Sequence, residues 1–244
     1  RYGVDAWQHP GLFHMDMQAG APPDDFAVAG QNWGFPTYNW EEMTTNGFAW
    51  WKQRFEQMSV YFDAFRIDHI LGFFRIWSIP MDAVEGILGH FVPAIPVHEN
   101  ELKERGIHIS AHEYAKPIIT DKVLWDYFGY DNEFVKANYL TYDGFGKYTL
   151  QPAFASQRLV EKHFAELPAD DFNHKIKQGL YHVISNVLFI EAKEKAYAGG
   201  QFYHLRFGIE NTAAFKALDG TTQHQLRELY VDYFFRRQDD FWKK

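Results

Sequence analysis

The segment Phe65–Phe73, with the sequence FRIDHILGF, sets a charged pair inside an apolar run. Side chains alternate along a strand, so Arg66 and Asp68 would share one face while Phe65 and Ile67 pack on the other. We therefore expect a short buried strand with Asp68 at its tip. A neighbouring guanidinium stabilises an ionised carboxylate, as a carboxylate nucleophile at neutral pH requires. A structural ion pair is the alternative, and these four residues alone favour it.

Composition limits the classes of protein to consider. The chain has 244 residues, of which 46% are hydrophobic, enough for one large domain or two small ones. It contains no apolar run of about 18 residues and no signal-peptide pattern, so we expect neither membrane insertion nor secretion. A net charge of −8 without a basic cluster argues against nucleic acid as a partner. The lack of cysteine excludes disulfides and thiolate metal sites and fits a cytoplasmic location, which we predict.

The first 40 residues are rich in Gly, Pro, Asn and Asp and predict a loop with short extended pieces. Ordered loops of this length are commonly functional, which makes 20–40 a candidate binding rim. Gln31 and Asn32 can each donate and accept hydrogen bonds, and Trp33 or Tyr38 can cover the face of a sugar ring. A purely structural turn is the alternative interpretation of this segment.

Apolar spacing predicts most of the remaining elements. A helix should begin near Asn46 and lead into the Asp68 strand. Further helices are expected at 82–91, 99–105, 121–139, 154–166, 172–184 and from about 222, with a strand buried on both faces at 186–191. We divide the chain into a segment with a binding loop and the Asp68 strand (1–80), a helical insertion (81–185) and a returning strand and helix (186–244).

One histidine pair has the spacing of metal ligands. His108 and His112 lie four residues apart, and on a helix they would share a face. The glutamate of a zincin motif is missing between them and no third ligand is evident. We therefore predict no metal site.

Four motifs together resemble a known family. They are GAPPDDF, GQNWGFPTYNW, the Trp50-Trp51 pair and RIDHILGFFRIWSIP, in this order over about residues 17–80. This order is similar to that of the 4-α-glucanotransferases of glycoside hydrolase family 77, also called amylomaltases or disproportionating enzymes. The later segments FIEAKEKA, LRFGIENTAAFKALD and LYVDYFFRRQDDFW resemble the long-insertion branch, which includes the plant cytosolic disproportionating enzyme.

The resemblance implies an α/β fold, namely a partial (β/α)8 barrel segment with a largely helical insertion. It implies that Asp68 is the nucleophile at the C-terminal end of a barrel strand, the usual place for catalytic residues in barrels, and that Arg66 orients and ionises it. It also implies a set of substrate-binding residues, in which His69 lies close to the reacting sugar and a loop lines the glucan subsites: Asp24, Gln31, Asn32, Trp33, Pro36, Tyr38 and His69.

The implied chemistry is retaining transglycosylation of α-1,4-glucans such as maltooligosaccharides, with no cofactor and no metal. This mechanism needs a second carboxylate as acid/base. In the family that residue is the glutamate of an E-D-L-G turn, and an aspartate follows an H-D pair later; neither motif occurs here. Glu191 and Glu210 are poor substitutes. We therefore expect these residues to be an internal part of a longer enzyme and to be inactive alone.

Two other functions stay open. A noncatalytic carbohydrate-binding or interaction module would use the aromatic side chains as sugar platforms and leave Asp68 without a chemical role. An inserted scaffold, residues 81–235, would shape acceptor access or oligomer contacts. Exposed edges of parallel strands invite pairing, so we also expect the chain to self-associate.

Overall fold

The computed structural model describes residues 3–194, 197 and 201–238. Within them the helices are α1 (Val4–Gln8), α2 (Trp40–Thr45), α3 (Ala49–Ser59), α4 (Glu99–Glu104), α5 (Ala111–Tyr114), α6 (Asp121–Phe128), α7 (Asn132–Tyr139), α8 (Gln157–Phe164), α9 (Asp171–Ile184), α10 (Ala213–Lys216) and α11 (Gly220–Asp232), which continues as a π-helical turn over Tyr233–Arg237. The strands are β1 (Phe13–His14), β2 (Met17–Ala21), β3 (Gln31–Asn32), β4 (Thr37–Tyr38), β5 (Ile76–Pro80), β6 (His90–Val92), β7 (Val97–His98), β8 (Ile119–Thr120), β9 (Leu140–Gly144), β10 (Lys147–Leu150), β11 (Phe189–Glu191) and β12 (Phe202–Leu205). None of the helices within these residues is both long and apolar enough to cross a bilayer.

A four-stranded sheet in the order β3-β2-β5-β6 supports the N-terminal part of the chain. Its centre pairs Ala19 with Ser78 and Gly20 with Trp77. A Cβ atom on Gly20 would lie 2.0 Å from the carbonyl oxygen of Gln31, so only glycine lets β3 approach β2 this closely. The loop that the sequence marks as a binding rim is thereby fixed to this sheet.

Helices α6 to α9 and the sheet β8-β10-β9 enclose a separate hydrophobic cluster. Leu124, Phe128, Ile176 and Leu180 are fully buried in it. Helices α6, α8 and α9 each begin with a side chain that accepts a hydrogen bond from a backbone amide of the first turn, an interaction that satisfies one of the unpaired donors at a helix start. Local capping and a shared apolar face therefore explain this part of the fold.

A third group of elements packs around the sheet β11-β12-β7. Its core contains Leu188 and Phe189 from the sheet region and Phe215, Leu226 and Leu229 from α10 and α11. Strand β12 lies in the middle, between β7 from the centre of the chain and β11. This sheet therefore ties the C-terminal helices to residues near position 97.

Several predicted helices are confirmed, namely those at 99–105, 154–166, 172–184 and from about 222. The helix predicted from Asn46 begins at Ala49, and the Asn46 side chain accepts a hydrogen bond from the Ala49 amide. The single helix predicted at 121–139 is in fact two helices, α6 and α7. Gly129 adopts a positive φ of 57° and ends α6. The proposed division at residues 80 and 185 stays a prediction.

The helix predicted at 82–91 is wrong. The segment forms a 3-10 turn at Gly86–Leu88 and then strand β6. Gly86 and Gly89 weaken a helix by about 1 kcal/mol each. Both pack too closely for a side chain, since a Cβ on Gly89 would lie 2.4 Å from the Trp77 ring nitrogen. Close packing against β5 therefore overrides the apolar spacing.

The expected mixture of helices and strands is confirmed, but every strand pair within the described residues is antiparallel. The strand predicted at 186–191 is confirmed over Phe189–Glu191, β11, which pairs with β12 in the antiparallel sense. Its predicted burial on both faces is wrong, because Ile190 is only half-buried. Glu191, at its end, is exposed. No closed barrel forms within the part of the chain that the structure describes.

Candidate active site

A cleft of about 330 Å³ lies between the N-terminal sheet, α3 and the segment that precedes β5. Its wall is mostly aromatic. The lining includes Trp33, Pro36 and Tyr38 from the N-terminal loop, together with Arg66, Asp68 and His69 from the segment before β5. Six of the nine residues predicted as site residues therefore lie around one cavity.

Helix α3 supplies one wall of the cleft because its apolar residues repeat at helical spacing. Trp51, Phe55 and Met58 lie at positions i, i+4 and i+7, which places them on one face. The Trp51 and Phe55 rings stack at 5.4 Å, and Phe55 stacks on Phe65 at 5.1 Å. Phe73 contacts Trp51 at 5.0 Å. Ring contacts at both ends therefore attach the segment 65–73 to α3.

The short buried strand predicted to end at Asp68 is wrong. Residues 65–69 have no strand partner among the described residues and are exposed, and Ile70–Phe73 form a 3-10 turn. His69 adopts a positive φ of 53°, which directs the chain into that turn. A strand satisfies its backbone groups only through neighbouring strands, and none lies beside this segment within the described residues.

Arg66 and Asp68 nevertheless lie together. The Arg66 Nη2 and Asp68 Oδ1 atoms are 3.7 Å apart, and their side chains are 89% and 92% exposed. An exposed pair at this distance contributes little to folding stability. Its guanidinium is still close enough to attract the carboxylate at the mouth of the cleft.

Trp33 is the best positioned of the predicted loop residues. Its ring nitrogen donates a hydrogen bond of 3.1 Å to Gln31 Oε1. The ring packs edge to face against His69 at 5.0 Å and stacks near Phe35 at 5.9 Å. These contacts join the N-terminal loop to the segment that carries Asp68.

Tyr38 lines the cleft between Trp40 and the Trp50-Trp51 pair. Burial raises the pKa of Tyr38, although the Arg54 guanidinium opposes the shift. The phenol is therefore protonated near neutral pH and can donate a hydrogen bond as well as accept one.

Three predicted binding residues, Asp24, Gln31 and Asn32, do not line the cleft. Asp24 Oδ1 accepts hydrogen bonds from the amides of Phe26 and Ala27, at 2.9 and 2.6 Å. Asn32 accepts from the Gly34 amide at 2.9 Å and donates to the Val84 carbonyl at 3.1 Å. In this structure their polar groups hold the loop in shape.

The sequence interpretation missed part of the cleft wall. The additional side chains are Trp40, Trp51, Arg54, Phe55, Met58, Phe65 and Phe73. The helical spacing of Trp51 and Phe55 is a usable signal for α3. Nothing local indicates that Phe65 and Phe73 would fold back against that helix.

Among the described residues that line the cleft, Asp68 carries the sole carboxylate. Glu191 lies on β11, opposite Tyr203. Glu210 accepts a hydrogen bond of 2.8 Å from Arg227 Nε. Neither glutamate lines the cleft, so neither is placed to act with Asp68.

One solved structure is similar over most of the chain. The amylomaltase from Streptococcus agalactiae in complex with acarbose aligns with 95% of this chain and 55% of its own, with 20% sequence identity and a TM-score of 0.36. A TM-score this low does not establish a common fold.

Relatives found by sequence have a higher identity to this chain, 38% and 40% in two cases. The 4-alpha-glucanotransferase DPE2 of Oryza sativa subsp. japonica is 38% identical over 251 residues, covering 100% of this chain and 26% of the rice protein. The 4-alpha-glucanotransferase of Streptococcus pneumoniae TIGR4 is 40% identical over 129 residues, covering 49% of this chain and 25% of that protein. The chain thus spans about a quarter of the length of these relatives.

A family model described as 4-alpha-glucanotransferase matches residues 1–244, which is the whole chain. This match extends past the four N-terminal motifs to the later segments that carry the weaker resemblance. The chain therefore belongs to the 4-α-glucanotransferase family.

Proposed function

We propose that this chain is the nucleophile-bearing part of a 4-α-glucanotransferase that acts on α-1,4-glucans. We further propose that the chain forms a segment of a (β/α)8 barrel with a helical insertion. The observation that carries the proposal is the placement of Asp68, beside Arg66, at an aromatic cleft in a chain of this family.

In the proposed reaction, an Asp68 carboxylate oxygen attacks the anomeric carbon of the donor sugar. The bond to the leaving sugar breaks as its oxygen takes a proton from a second carboxylic acid, and a covalent glucosyl-enzyme remains. The 4-hydroxyl of an acceptor sugar then attacks the same carbon, returns a proton to the second carboxylate and frees Asp68. One α-1,4 bond is broken and one is formed, so neither an oxidant nor a metal is required.

Arg66 supports the nucleophile through its charge. Its guanidinium lies 3.7 Å from Asp68 Oδ1, close enough to attract the carboxylate and help to orient it. His69 follows Asp68 directly, and its ring packs against Trp33 of the loop. We therefore expect the His69 ring to contact the reacting sugar beside the loop. We assign both residues to the donor side of the cleft.

The aromatic wall supports binding of a neutral sugar chain. Trp33, Pro36 and Tyr38 present ring faces and edges to the cleft, and flat apolar surfaces pack against the CH groups of a glucose ring. We assign Gln31 the role of orienting the Trp33 indole. Asp24 and Asn32 contribute to glucan binding indirectly, through hydrogen bonds that hold the loop backbone in place.

The second carboxylate must come from outside the described cleft residues. A retaining mechanism places it about 5–5.5 Å from the nucleophile. We assign it to a part of the parent protein beyond these 244 residues, consistent with the greater length of the relatives. A cytoplasmic location, self-association and the lack of nucleic-acid or membrane partners stay predictions from the sequence.

Substitution of Asp68 tests the proposal in the full-length protein that carries this chain. Asp68→Asn should reduce glucose release from maltotriose by at least about 10³-fold, because an amide is a very poor nucleophile. Asp63→Asn is the matched control, since Asp63 is an exposed carboxylate five residues away that does not line the cleft. Retained activity in Asp68→Asn, or an equal loss in both variants, would overturn the assignment.

Covalent trapping separates an enzyme from a noncatalytic sugar-binding module. A fluorinated glucosyl fluoride should leave one glucosyl group on Asp68, detected by mass spectrometry of the peptide that contains Phe65–Phe73. A binding module would bind maltotriose without any label on that peptide. The 244-residue chain alone should release no glucose, since Asp68 is the one carboxylate among the described residues that line the cleft.

A further inference from the structure

A buried cluster of two histidines and one glutamate lies outside the cleft. His90 is the first residue of β6, His204 belongs to β12, and Glu194 lies in the connection between β11 and β12. Glu194 Oε1 is 2.9 Å from His204 Nε2 and 3.1 Å from His90 Nε2. The His204 side chain is 0% exposed and that of His90 is 7% exposed. Two buried imidazole nitrogens thus converge on one oxygen of a carboxylate whose side chain is 26% exposed.

The cluster has unsatisfied polar atoms. His90 Nδ1 and Glu194 Oε2 are both buried and have no hydrogen-bond partner. An unpaired buried polar group costs about 1–3 kcal/mol, and such groups in folded proteins call for an explanation such as an ion or ordered water. Glu194 Oε2 belongs to the carboxylate on which both imidazoles converge, so an ion held there would give this oxygen the partner that it lacks.

We propose that His90, Glu194 and His204 form a structural site for a divalent transition metal, with Zn²⁺ as the best match. All three ligand atoms lie within 4.8 Å of one another. Two imidazole nitrogens and one carboxylate are a recognised three-ligand set for zinc, which takes a water molecule in its fourth position. A bidentate carboxylate would also give Glu194 Oε2 the partner that it lacks.

The distances fit with a small adjustment. Zinc bonds of about 2.1 Å in tetrahedral geometry separate neighbouring ligand atoms by about 3.4 Å. The present separations of 2.9 and 3.1 Å must therefore open by a few tenths of an ångström. The two imidazole rings now stack at 4.1 Å with 13° between their planes, so binding also requires them to rotate apart until both Nε2 lone pairs meet at the metal.

The surroundings prepare His204 as a ligand. Its Nδ1 lies 2.7 Å from the Tyr233 hydroxyl, and a hydrogen bond on one ring nitrogen of a metal-binding histidine fixes the tautomer that presents the other.

The position of the site indicates a structural role. Strand β6 belongs to the sheet that carries the cleft loop, and β12 is the central strand of the C-terminal sheet. None of the three ligands lines the cleft. A metal here would connect the two sheets and stabilise the folded state, by an amount that grows with the logarithm of its concentration relative to the dissociation constant.

Metal titration of the full-length protein tests this proposal. After treatment with a chelator, the protein should bind one Zn²⁺ per chain, and Co²⁺ should give the visible absorption of a tetrahedral site. Zn²⁺ should also raise Tm. Glu194→Gln should weaken binding by more than about 100-fold, since loss of a mere supporting residue already costs 10–100-fold.

His90→Asn and His204→Asn should abolish the Co²⁺ absorption, while His112→Asn should preserve it. His112 is the matched control because it belongs to the pair with metal-ligand spacing in the sequence. Should His204→Asn fail to fold, the zinc affinity of Glu194→Gln decides whether the site exists. Glu194 lies in a connection between strands, and circular dichroism can check that this variant is folded. Substoichiometric zinc in the wild type, or unchanged affinity in Glu194→Gln, would overturn the site.

Discussion

Two parts of the molecule bury their apolar side chains very differently. The cleft region, residues 13–80, leaves Phe65, Ile67 and Leu71 between 40% and 60% exposed. The helical region, residues 119–184, buries Leu124, Phe128 and similar residues completely. Helices satisfy their backbone hydrogen bonds internally, whereas strands need neighbours. The helical region therefore has its packing partners within the chain, whereas the described residues place no neighbouring strand beside Phe65–His69 in the cleft region.

Truncation of matched leucines gives the largest contrast in stability. Leu180 is 0% exposed in the helical region, and Leu71 is 60% exposed in the cleft region. Leu180→Ala should lower the free energy of unfolding by about 2–5 kcal/mol through a cavity, and Leu71→Ala should change it by less than about 0.5 kcal/mol. Urea unfolding of each variant of the 244-residue chain measures this difference. Equal losses would mean that Leu71 is packed as tightly as Leu180, which would contradict the contrast between the two regions.

For substrate binding we expect the larger effect in the cleft region, and a matched pair of tryptophans tests this. Trp33 lines the cleft, and Trp125 is 53% exposed on α6 in the helical region. Trp33→Ala should raise KM for maltotriose about 10-fold, equivalent to about 1.4 kcal/mol, because it removes an aromatic surface for a sugar ring. Trp125→Ala should leave KM unchanged. Steady-state kinetics on both variants decide the point, and a raised KM in Trp125→Ala alone would place the sugar on the helical region.

The same contrast explains which parts of the fold could be predicted. Helices α4, α8, α9 and α11 follow from apolar spacing, because a helix is determined by residues close in sequence. Alternation predicts a strand at Phe65–His69, but alternation does not supply the neighbouring strands that a ladder requires. The break at Gly129 and the packing of Gly89 on Trp77 depend on backbone conformation and tertiary contact, which spacing does not record.

Some residues of the candidate sites are indicated by sequence motifs, and others are brought together only by the fold. The resemblance of two separate motifs to one family groups Arg66 and Asp68 with Trp33. Phe73 reaches the cleft wall through ring contacts with Trp40 of α2 and Trp51 of α3, which no motif indicates. The His90, Glu194 and His204 cluster has no local signal, since its hydrogen bonds join residues 104 and 10 positions apart. The His108 and His112 pair has the more conspicuous spacing, although His112 lies in the four-residue helix α5 and His108 precedes it.

Serines at helix ends provide the smallest test of the contrast. Ser156 caps α8 by accepting a hydrogen bond of 3.3 Å from the Leu159 amide, whereas Ser59 is the last residue of α3 and donates to the Glu56 carbonyl at 2.8 Å. Ser156→Ala should cost about 1 kcal/mol, because it leaves an amide at the helix start without a partner. Ser59→Ala should stay within about 0.5 kcal/mol, since that carbonyl can bind water instead. Chemical denaturation of both variants measures the two costs. A larger loss for Ser59→Ala would show that α3, and with it the aromatic wall of the cleft, is held by its own end rather than by ring contacts with Phe65 and Phe73.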